Sequence, residues 1–462
     1  MIHISNPGRA ALLALGLLTG AAALSVPAMA APAAPKISLS KGFQPAAVAA
    51  DKALNDAKAR PNVVAARASV DTAQTALQQA QGAGRTSARS NLDSAVAALG
   101  ATLSSEKTLV DSAFAAATTP DDHYMAGSLA IKLGDLAKNT VIQRRGLEAM
   151  LNSGKVAPAD APRLQYYVGQ FAYDQKDYAA SRTALQTAIT AGFHENDADA
   201  LLAEAYLADN QVPQGLTVLK QAIAFRNATP SKAPAGWYRR GLGAAYKAKL
   251  LDQATDFAIS LVKAYPTTEN WSGAIVVVRE IGKFPAQETL DLMRLMGRTN
   301  SYAEERDYVE YIQAADPRRL PGEALKVIDA GITAGKLRAA DPFVSEARGI
   351  ATGRLAADRA SLVALERDAR SPAATAATVG GAADALLSYG EAAKAEALFT
   401  LALSKPGAEQ DRLLTRLGIA QTDQGNYAGA QATFAKVGGP RKYLAQLWSI
   451  YAGLKAAPPA AS

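Results

Sequence analysis

Two neighbouring segments decide the fold: VGQFAYDQKDYAASRTALQTA (168–188) and LAEAYLADNQVPQGLTVLKQA (202–222). A shift of 34 residues places Gly169 over Ala203, and the other matched positions also pair residues of similar size. These further pairs are Tyr178 with Val212, Ser181 with Gly215, Leu185 with Leu219 and Ala188 with Ala222. A period near this length is typical of arrays whose repeating unit is a pair of antiparallel helices. The spacing therefore predicts an all-α chain that presents an extended surface.

The same pattern of small residues recurs along most of 120–440. The small position of the first helix is filled by Gly169, Ala203, Gly243, Ala383 and Gly418, and that of the second helix by Ser181, Gly215, Ala254, Ala395 and Ala430. The last copy is the most complete, and Pro266 ends another copy. These positions resemble those of the tetratricopeptide repeat family, of an exported bacterial type. The resemblance implies an α-solenoid, a superhelix of stacked antiparallel helix pairs, preceded here by a helical hairpin.

The composition fits a folded helical protein and excludes thiol chemistry. The chain has 462 residues, of which 49% are hydrophobic and only 6% aromatic, and its formal net charge is +7. This charge is mild for so long a chain, so we do not expect a nucleic-acid partner. The absence of cysteine excludes disulfides, thiolate catalysis and cysteine-ligated metal.

The N-terminus has the pattern of a Sec-type signal peptide. Arg9 provides a positive charge, residues 10–26 are uncharged and mostly apolar, and Ala28-Met29-Ala30 forms a small-x-small cleavage site. We expect cleavage after Ala30, a periplasmic or secreted location, and no transmembrane segment in the mature chain. Residues 31–40 are predicted to be a disordered tether, and residues 456–462 a disordered tail.

Residues 41–119 show helical periodicity without the repeat signature. Val63, Val70 and Leu77 follow a seven-residue step, and a second seam runs from Leu92 to Val110. Gly82-Ala83-Gly84 separates the two seams, which predicts a helical hairpin, with a partly disordered lead-in as the alternative. This hairpin could also mediate self-association. Beyond it, repeats are predicted over 120–226 and 237–455, with an inserted loop at 227–236 and the least regular part at 338–380.

A candidate partner-binding groove follows from the repeat register. The face of each first helix that points away from the helix–helix contact is expected to line the inner curve of the solenoid. Its candidate residues are Arg163, Tyr166, Gln170, Tyr173, Trp237, Arg240, Lys247 and Arg279. Arginine and aromatic side chains carry much of the binding energy at protein interfaces. The groove is therefore predicted to bind a peptide segment or an envelope protein, and the alternative is a solvated helix face.

No motif indicates catalysis, a cofactor or a metal. His123 and His194 are isolated from each other and lie outside any metal-binding motif. Ser104 and Lys107 match the Ser-x-x-Lys pattern, but no partner motif accompanies them. The leading hypothesis is a non-catalytic periplasmic scaffold. Two alternatives remain: an enzyme that processes envelope glycan or peptidoglycan and uses the solenoid as a substrate clamp, and a self-assembling structural protein.

Overall fold

A computed structural model describes residues 37–457. The predicted signal peptide, residues 31–36 of the predicted tether and residues 458–462 of the predicted tail lie outside this range. Within it the chain contains helices and turns but no strand. The chain divides near 229/230 into two compact units, an N-terminal unit described over 37–229 and a C-terminal unit over 230–457.

The N-terminal unit consists of ten α-helices. They are α1 (Gln44–Ala59), α2 (Pro61–Gln79), α3 (Gly84–Thr102), α4 (Ser104–Ala116), α5 (Pro120–Leu136), α6 (Thr140–Asn152), α7 (Ala161–Asp174), α8 (Tyr178–Thr190), α9 (Ala198–Ala208) and α10 (Val212–Asn227). From α5 onward, each helix packs against its neighbours in sequence, and α5–α6, α7–α8 and α9–α10 form pairs joined by short turns.

The C-terminal unit consists of twelve α-helices. They are α11 (Ala235–Lys247), α12 (Leu251–Ala264), α13 (Thr268–Gly282), α14 (Ala286–Arg298), α15 (Glu305–Ala315), α16 (Pro321–Thr333), α17 (Pro342–Ala369), α18 (Ala376–Ser388), α19 (Ala392–Leu403), α20 (Gln410–Asp423), α21 (Tyr427–Phe434) and α22 (Lys442–Ala456). Successive helices again pack as neighbours, and α22 also packs back on α12 and α14. The predicted fold class, an all-α array of stacked antiparallel helix pairs, is confirmed in both units.

A contact across 16 residues sets the spacing within the helix pairs. A Cβ atom built on Gly169 would lie 2.6 Å from Leu185, and one built on Gly418 would lie 2.4 Å from Phe434. These pairs allow no side chain at the glycine, because the large residue of the second helix occupies that space. The small positions at Gly169 and Gly418 therefore mark real points of close helix–helix approach.

The sequence register was wrong by two residues in α11. Gly243 was expected at the small contact position, yet a Cβ atom there would have no neighbour within 4 Å. The contact residue is Gly241, whose Cβ atom would lie 2.3 Å from the ring of Phe257, again 16 residues further on. The loop before α11 altered the repeat length, so counting from the preceding repeats misplaced this helix.

The stretch predicted as one hairpin contains four helices. The hairpin itself is α2 and α3, which turn at Gly82, where φ is +54°. The second seam was expected to be continuous, but it breaks at Leu103, where φ is −110° and ψ is 17°. Val110 therefore lies in α4, which packs beside α1 and joins the hairpin to the repeats.

The end of the predicted tether is held in place by α5. The backbone amides of Ser38 and Ser40 donate hydrogen bonds of 2.9 Å to the carboxylates of Asp121 and Asp122, respectively. Leu39 packs against the apolar core of this region. Residues 37–40 are thus an ordered strap rather than a disordered tether, because two acidic residues in the first turn of α5 capture their amides.

The stretch 338–380, predicted to be the least regular, contains the longest helix within the described range. Asp341 caps the 28-residue α17 by accepting from the amides of Phe343 and Val344. Its second half is lightly packed, and Val363 in that half is 80% exposed. Asp358, also in that half, accepts a 2.7 Å hydrogen bond from the Tyr389 hydroxyl of α18.

No helix between residues 37 and 457 combines the length and apolar character needed to cross a membrane.

Candidate functional site

The structure buries part of the predicted groove in the N-terminal unit. Tyr166 is only 2% exposed, its hydroxyl donates to the Asn196 carbonyl oxygen at 3.3 Å, and its ring lies 5.2 Å from that of Phe193. Arg163 is exposed and forms an ion pair of 2.9 Å with Asp160. The remaining two candidates, Gln170 and Tyr173, are half-buried.

The four candidate residues in the C-terminal unit also range from buried to exposed. Trp237 is 3% exposed, Arg240 is half-buried and Lys247 is exposed. Arg279 is 7% exposed and makes a 2.7 Å ion pair with Glu310 of α15. The expectation that Tyr166, Trp237 and Arg279 line an open face is therefore wrong. Two of them serve packing within their units: Tyr166 fills the space beside the turn before α9, and Arg279 ties α13 to α15.

A cavity in the C-terminal unit provides a better candidate site. It has a volume of about 570 Å³ and lies among α14, the turn after it, α15, α16 and the end of α18. We call it the tyrosine cavity, because three tyrosines within ten residues form one side of it. The lining residues used below are Arg294, Arg298, Tyr302, Tyr308, Tyr311, Glu323, Lys326, Val327 and Leu387.

The floor of the tyrosine cavity is a closed set of buried polar groups. Arg294 donates from Nε and Nη2 to the two carboxylate oxygens of Glu323 at 2.8 and 2.7 Å, and the Tyr311 hydroxyl donates to Glu323 Oε1 at 2.7 Å. Burial alone would raise the pKa of Glu323, but the charge and hydrogen bonds of Arg294 outweigh it and hold the pKa below its usual value. Glu323 is thus an anion whose charge is already compensated.

The wall is formed by a pair of stacked tyrosines. The ring centroids of Tyr302 and Tyr308 lie 4.4 Å apart, with the planes tilted by 32°. Neither hydroxyl has a hydrogen-bond partner among residues 37–457, although Tyr308 is only 5% exposed. Burial raises the pKa of both phenols, so both remain neutral hydrogen-bond donors at physiological pH.

Helix α14 fixes the position of the Tyr302 hydroxyl. A Cβ atom built on Gly297 would lie 2.7 Å from Tyr302 Oη, so the phenol reaches the wall only because position 297 lacks a side chain.

Two cations lie at the rim of the cavity. Arg298 donates two hydrogen bonds, of 2.8 and 2.6 Å, to the carboxylate of Asp423. Lys326 is exposed and has no ion-pair partner within the described range.

A second polar cluster lies directly behind the floor and centres on Asp291. This carboxylate is fully buried and contacts Arg294 at 3.2 Å, Arg416 at 3.2 Å and Arg441 at 2.6 Å. Its carbonyl oxygen accepts a 2.9 Å hydrogen bond from Trp448 Nε1. These contacts tie α14 to α20, to the short 3₁₀ turn Gly439–Arg441 and to α22. Arg294 therefore belongs both to the cavity floor and to the cluster that holds these elements together.

His194 pairs with an aspartate and with an aromatic ring. His194 Nδ1 lies 2.8 Å from Asp199 Oδ2, and its ring stacks on Phe225 with centroids 3.9 Å apart. His123 is exposed. Within residues 37–457, no group of three or more histidine, aspartate or glutamate side chains is arranged to hold a metal ion.

Sequence reasoning did not find the tyrosine cavity. Tyr302, Tyr308 and Tyr311 lie between Ala254 and Ala383, in a stretch where the sequence pattern assigns no small contact position. Three tyrosines within ten residues of a chain that is only 6% aromatic were the available signal. The pairing of Arg294 with Glu323 bridges two helices that are 29 positions apart, so it could not be read from local spacing.

Comparisons with known proteins add little to these observations. No protein-family model and no curated protein matches the chain. Among solved structures it is similar to a chain from the structure of Naa15/Naa10 bound to HypK-THB, at 12% sequence identity and a TM-score of 0.21. The match covers 87% of this chain and 70% of that chain. A TM-score this low carries no argument about fold or function.

Proposed function

We propose that this chain is a non-catalytic periplasmic scaffold of the tetratricopeptide type, which binds a segment of another envelope protein in the tyrosine cavity. The observation that carries the proposal is a cavity of about 570 Å³ whose wall presents two phenol hydroxyls without partners. Pockets that bind small ligands or side chains are commonly of this size, with apolar walls and a few convergent polar groups.

The surroundings of the cavity favour binding over catalysis. Its titratable floor residues, Arg294 and Glu323, are bonded to each other, and Tyr311 donates to the same carboxylate. A general acid or base must exchange a proton with its substrate, whereas these groups are held in fixed ionisation states by their mutual contacts. The floor therefore gives the cavity a rigid base and leaves recognition to the tyrosine wall and the rim.

Because several residues of the predicted groove are buried, they are unsuitable for testing this function by substitution. Substitution of Trp237 or Tyr166 would disturb packing, because both side chains are buried. Thr333 lines the tyrosine cavity and is exposed, so a photoreactive amino acid can replace it with little effect on folding. Lys52, which lies in the N-terminal unit with a side chain 76% exposed, is the matched control position.

The experiment is photocrosslinking in intact cells with the reactive residue at position 333 or 52. We expect a discrete protein adduct from position 333 that is absent at position 52 and is lost when Lys326 is replaced by glutamate. The absence of any adduct at position 333, or identical adducts from both positions, would contradict a partner site at the cavity.

A further inference from the structure

The tyrosine wall contains hydroxyl groups to which the described residues supply no acceptor. Tyr308 is only 5% exposed, and its hydroxyl lines the tyrosine cavity without a partner among the described residues. Tyr308 Oη is not one of the buried atoms without a partner, so solvent reaches it, and a ligand acceptor can replace that solvent. Tyr302 is half-buried and lies on the same wall, and its hydroxyl also has no partner among the described residues. The wall is therefore arranged to donate to an oxygen atom of the ligand.

The arrangement of the rings selects among ligand types. The rings of Tyr302 and Tyr308 pack with centroids 4.4 Å apart and planes tilted by 32°, so part of one face of each ring is covered by the other. Sugar rings and cations bind aromatic residues through the ring face. One face of each ring is therefore partly blocked, and the polar groups that this wall offers are its two hydroxyls. The wall is suited to a ligand group that accepts hydrogen bonds.

The charges around the cavity point to an anion. Glu323 is neutralised by Arg294, so no lining carboxylate is left to attract a cation. Arg298 is paired with the carboxylate of Asp423 through two hydrogen bonds. Lys326 alone among the lining cations has no acidic partner within residues 37–457. An exposed lysine and two phenol donors that line one cavity are a suitable set of groups for one carboxylate.

From this geometry we propose that the tyrosine cavity binds an aspartate or glutamate side chain of the partner segment, with its carboxylate held by Tyr302, Tyr308 and Lys326. The aliphatic part of the neighbouring residue packs against Val327 and Leu387, which line the same cavity. The volume exceeds that of one side chain, so the flanking backbone of the segment also enters. This inference rests on the proposed function and specifies the chemistry of its ligand.

The experiment measures binding of the full chain to a positional-scanning library of hexapeptides. The peptides are acetylated and amidated, so that a carboxylate can come only from a side chain. We expect the pools with a fixed aspartate or glutamate to bind at least about tenfold more tightly than the matched asparagine or glutamine pools. One charge-assisted hydrogen bond is worth this much.

Three variants assign the effect to the proposed groups. Tyr302→Phe with Tyr308→Phe keeps the ring packing and removes both donors, and should reduce the preference for acidic pools to less than about threefold. Lys326→Gln should weaken acidic binding and flatten its dependence on salt concentration. Lys336→Gln removes the same charge from an exposed position of the same unit outside the cavity lining and should change nothing.

The outcomes separate this inference from the function on which it rests. Equal binding of acidic and neutral pools, with a crosslinked partner still found at position 333, would overturn the carboxylate assignment and leave the scaffold function intact. A preference for acidic pools that survives loss of both hydroxyls and of Lys326 would also overturn it. Failure of every pool to bind, together with no adduct at position 333, would overturn both.

Discussion

At the scale of single residues, the C-terminal unit depends on one buried carboxylate. Asp291 accepts from Arg294, Arg416 and Arg441, three cations that reach it from different elements. Burial would raise its pKa, but the arginine charges outweigh burial and hold the pKa below its usual value. None of this was predictable from the sequence, because Arg416 and Arg441 are 125 and 150 positions away from Asp291.

Replacement of Asp291 by asparagine should strongly destabilise the C-terminal unit. Removing one member of a buried ionic cluster leaves its partners charged and uncompensated, which costs about 3–5 kcal/mol. Urea denaturation followed by tryptophan fluorescence measures the loss, since Trp448 donates to the Asp291 carbonyl oxygen. Lys52→Ala, which breaks an exposed pair with Asp56, is the control and should leave the midpoint unchanged. Similar midpoints for the two variants would contradict this role of Asp291.

Acid should reduce the stability that Asp122 gives the fold by holding the strap at residues 37–40. Burial raises the pKa of Asp122, but amide donors from Ser40, Thr118 and Thr119 outweigh it, so the folded pKa lies below the unfolded value near 4. A depressed pKa stabilises the fold above the unfolded value, and this stabilisation is lost as pH falls through the folded value. We expect thermal midpoints between pH 6 and 2.5 to fall less steeply in Asp122→Asn than in the wild type. Equal slopes would show that Asp122 does not make this contribution.

At the scale of elements, the sequence was informative wherever two helices of one pair touch. The small positions at Gly169 and Gly418 each face a large residue 16 positions later, and Gly241 with Phe257 repeats this local contact in α11 and α12. The pattern was less informative where the repeat length changed, as at α11, and for single helices such as α17, which has no partner of equal length. Surface exposure was predicted poorly, since it depends on the neighbouring repeat rather than on the pair itself.

A pair of alanine substitutions tests the corrected register in α11. Gly241→Ala places a methyl group within 2.3–2.6 Å of the Phe257 ring and should destabilise the chain by about 1–3 kcal/mol. Gly243→Ala meets nothing within 4 Å and should be neutral or stabilise the helix by up to about 1 kcal/mol, since alanine has the higher helix propensity. Chemical denaturation of both variants decides between the registers. The reverse order of stability would restore Gly243 as the contact residue.

At the scale of the whole molecule, the chain combines a repeat array with an expected export signal. The described part is a set of packed helices in two units, each with its own apolar interior. The sequence could predict this architecture because stacked pairs use the same contact many times. It could not predict the tyrosine cavity, because that site is formed by side chains of α14, α15, α16 and α18 and depends on how those helices assemble.

Export predicts a defined mature N-terminus. Cleavage after Ala30 would leave a chain that starts at Ala31 and has 432 residues (462 − 30), with a formal net charge of +6 after loss of Arg9 (+7 − 1). Mass spectrometry of the protein from a periplasmic extract measures the mass and the terminal peptide directly. Recovery of the intact chain from the cytoplasmic fraction would contradict an exported scaffold.

Hydrogen–deuterium exchange of the full chain, with and without the partner captured at position 333, tests the central claim most directly. Binding in the tyrosine cavity should slow exchange in α15, in α16 and in the turns that follow α14 and α18, while the N-terminal unit stays unchanged. Slower exchange confined to the N-terminal unit, or none in the helices around Tyr302 and Tyr308, would contradict the account.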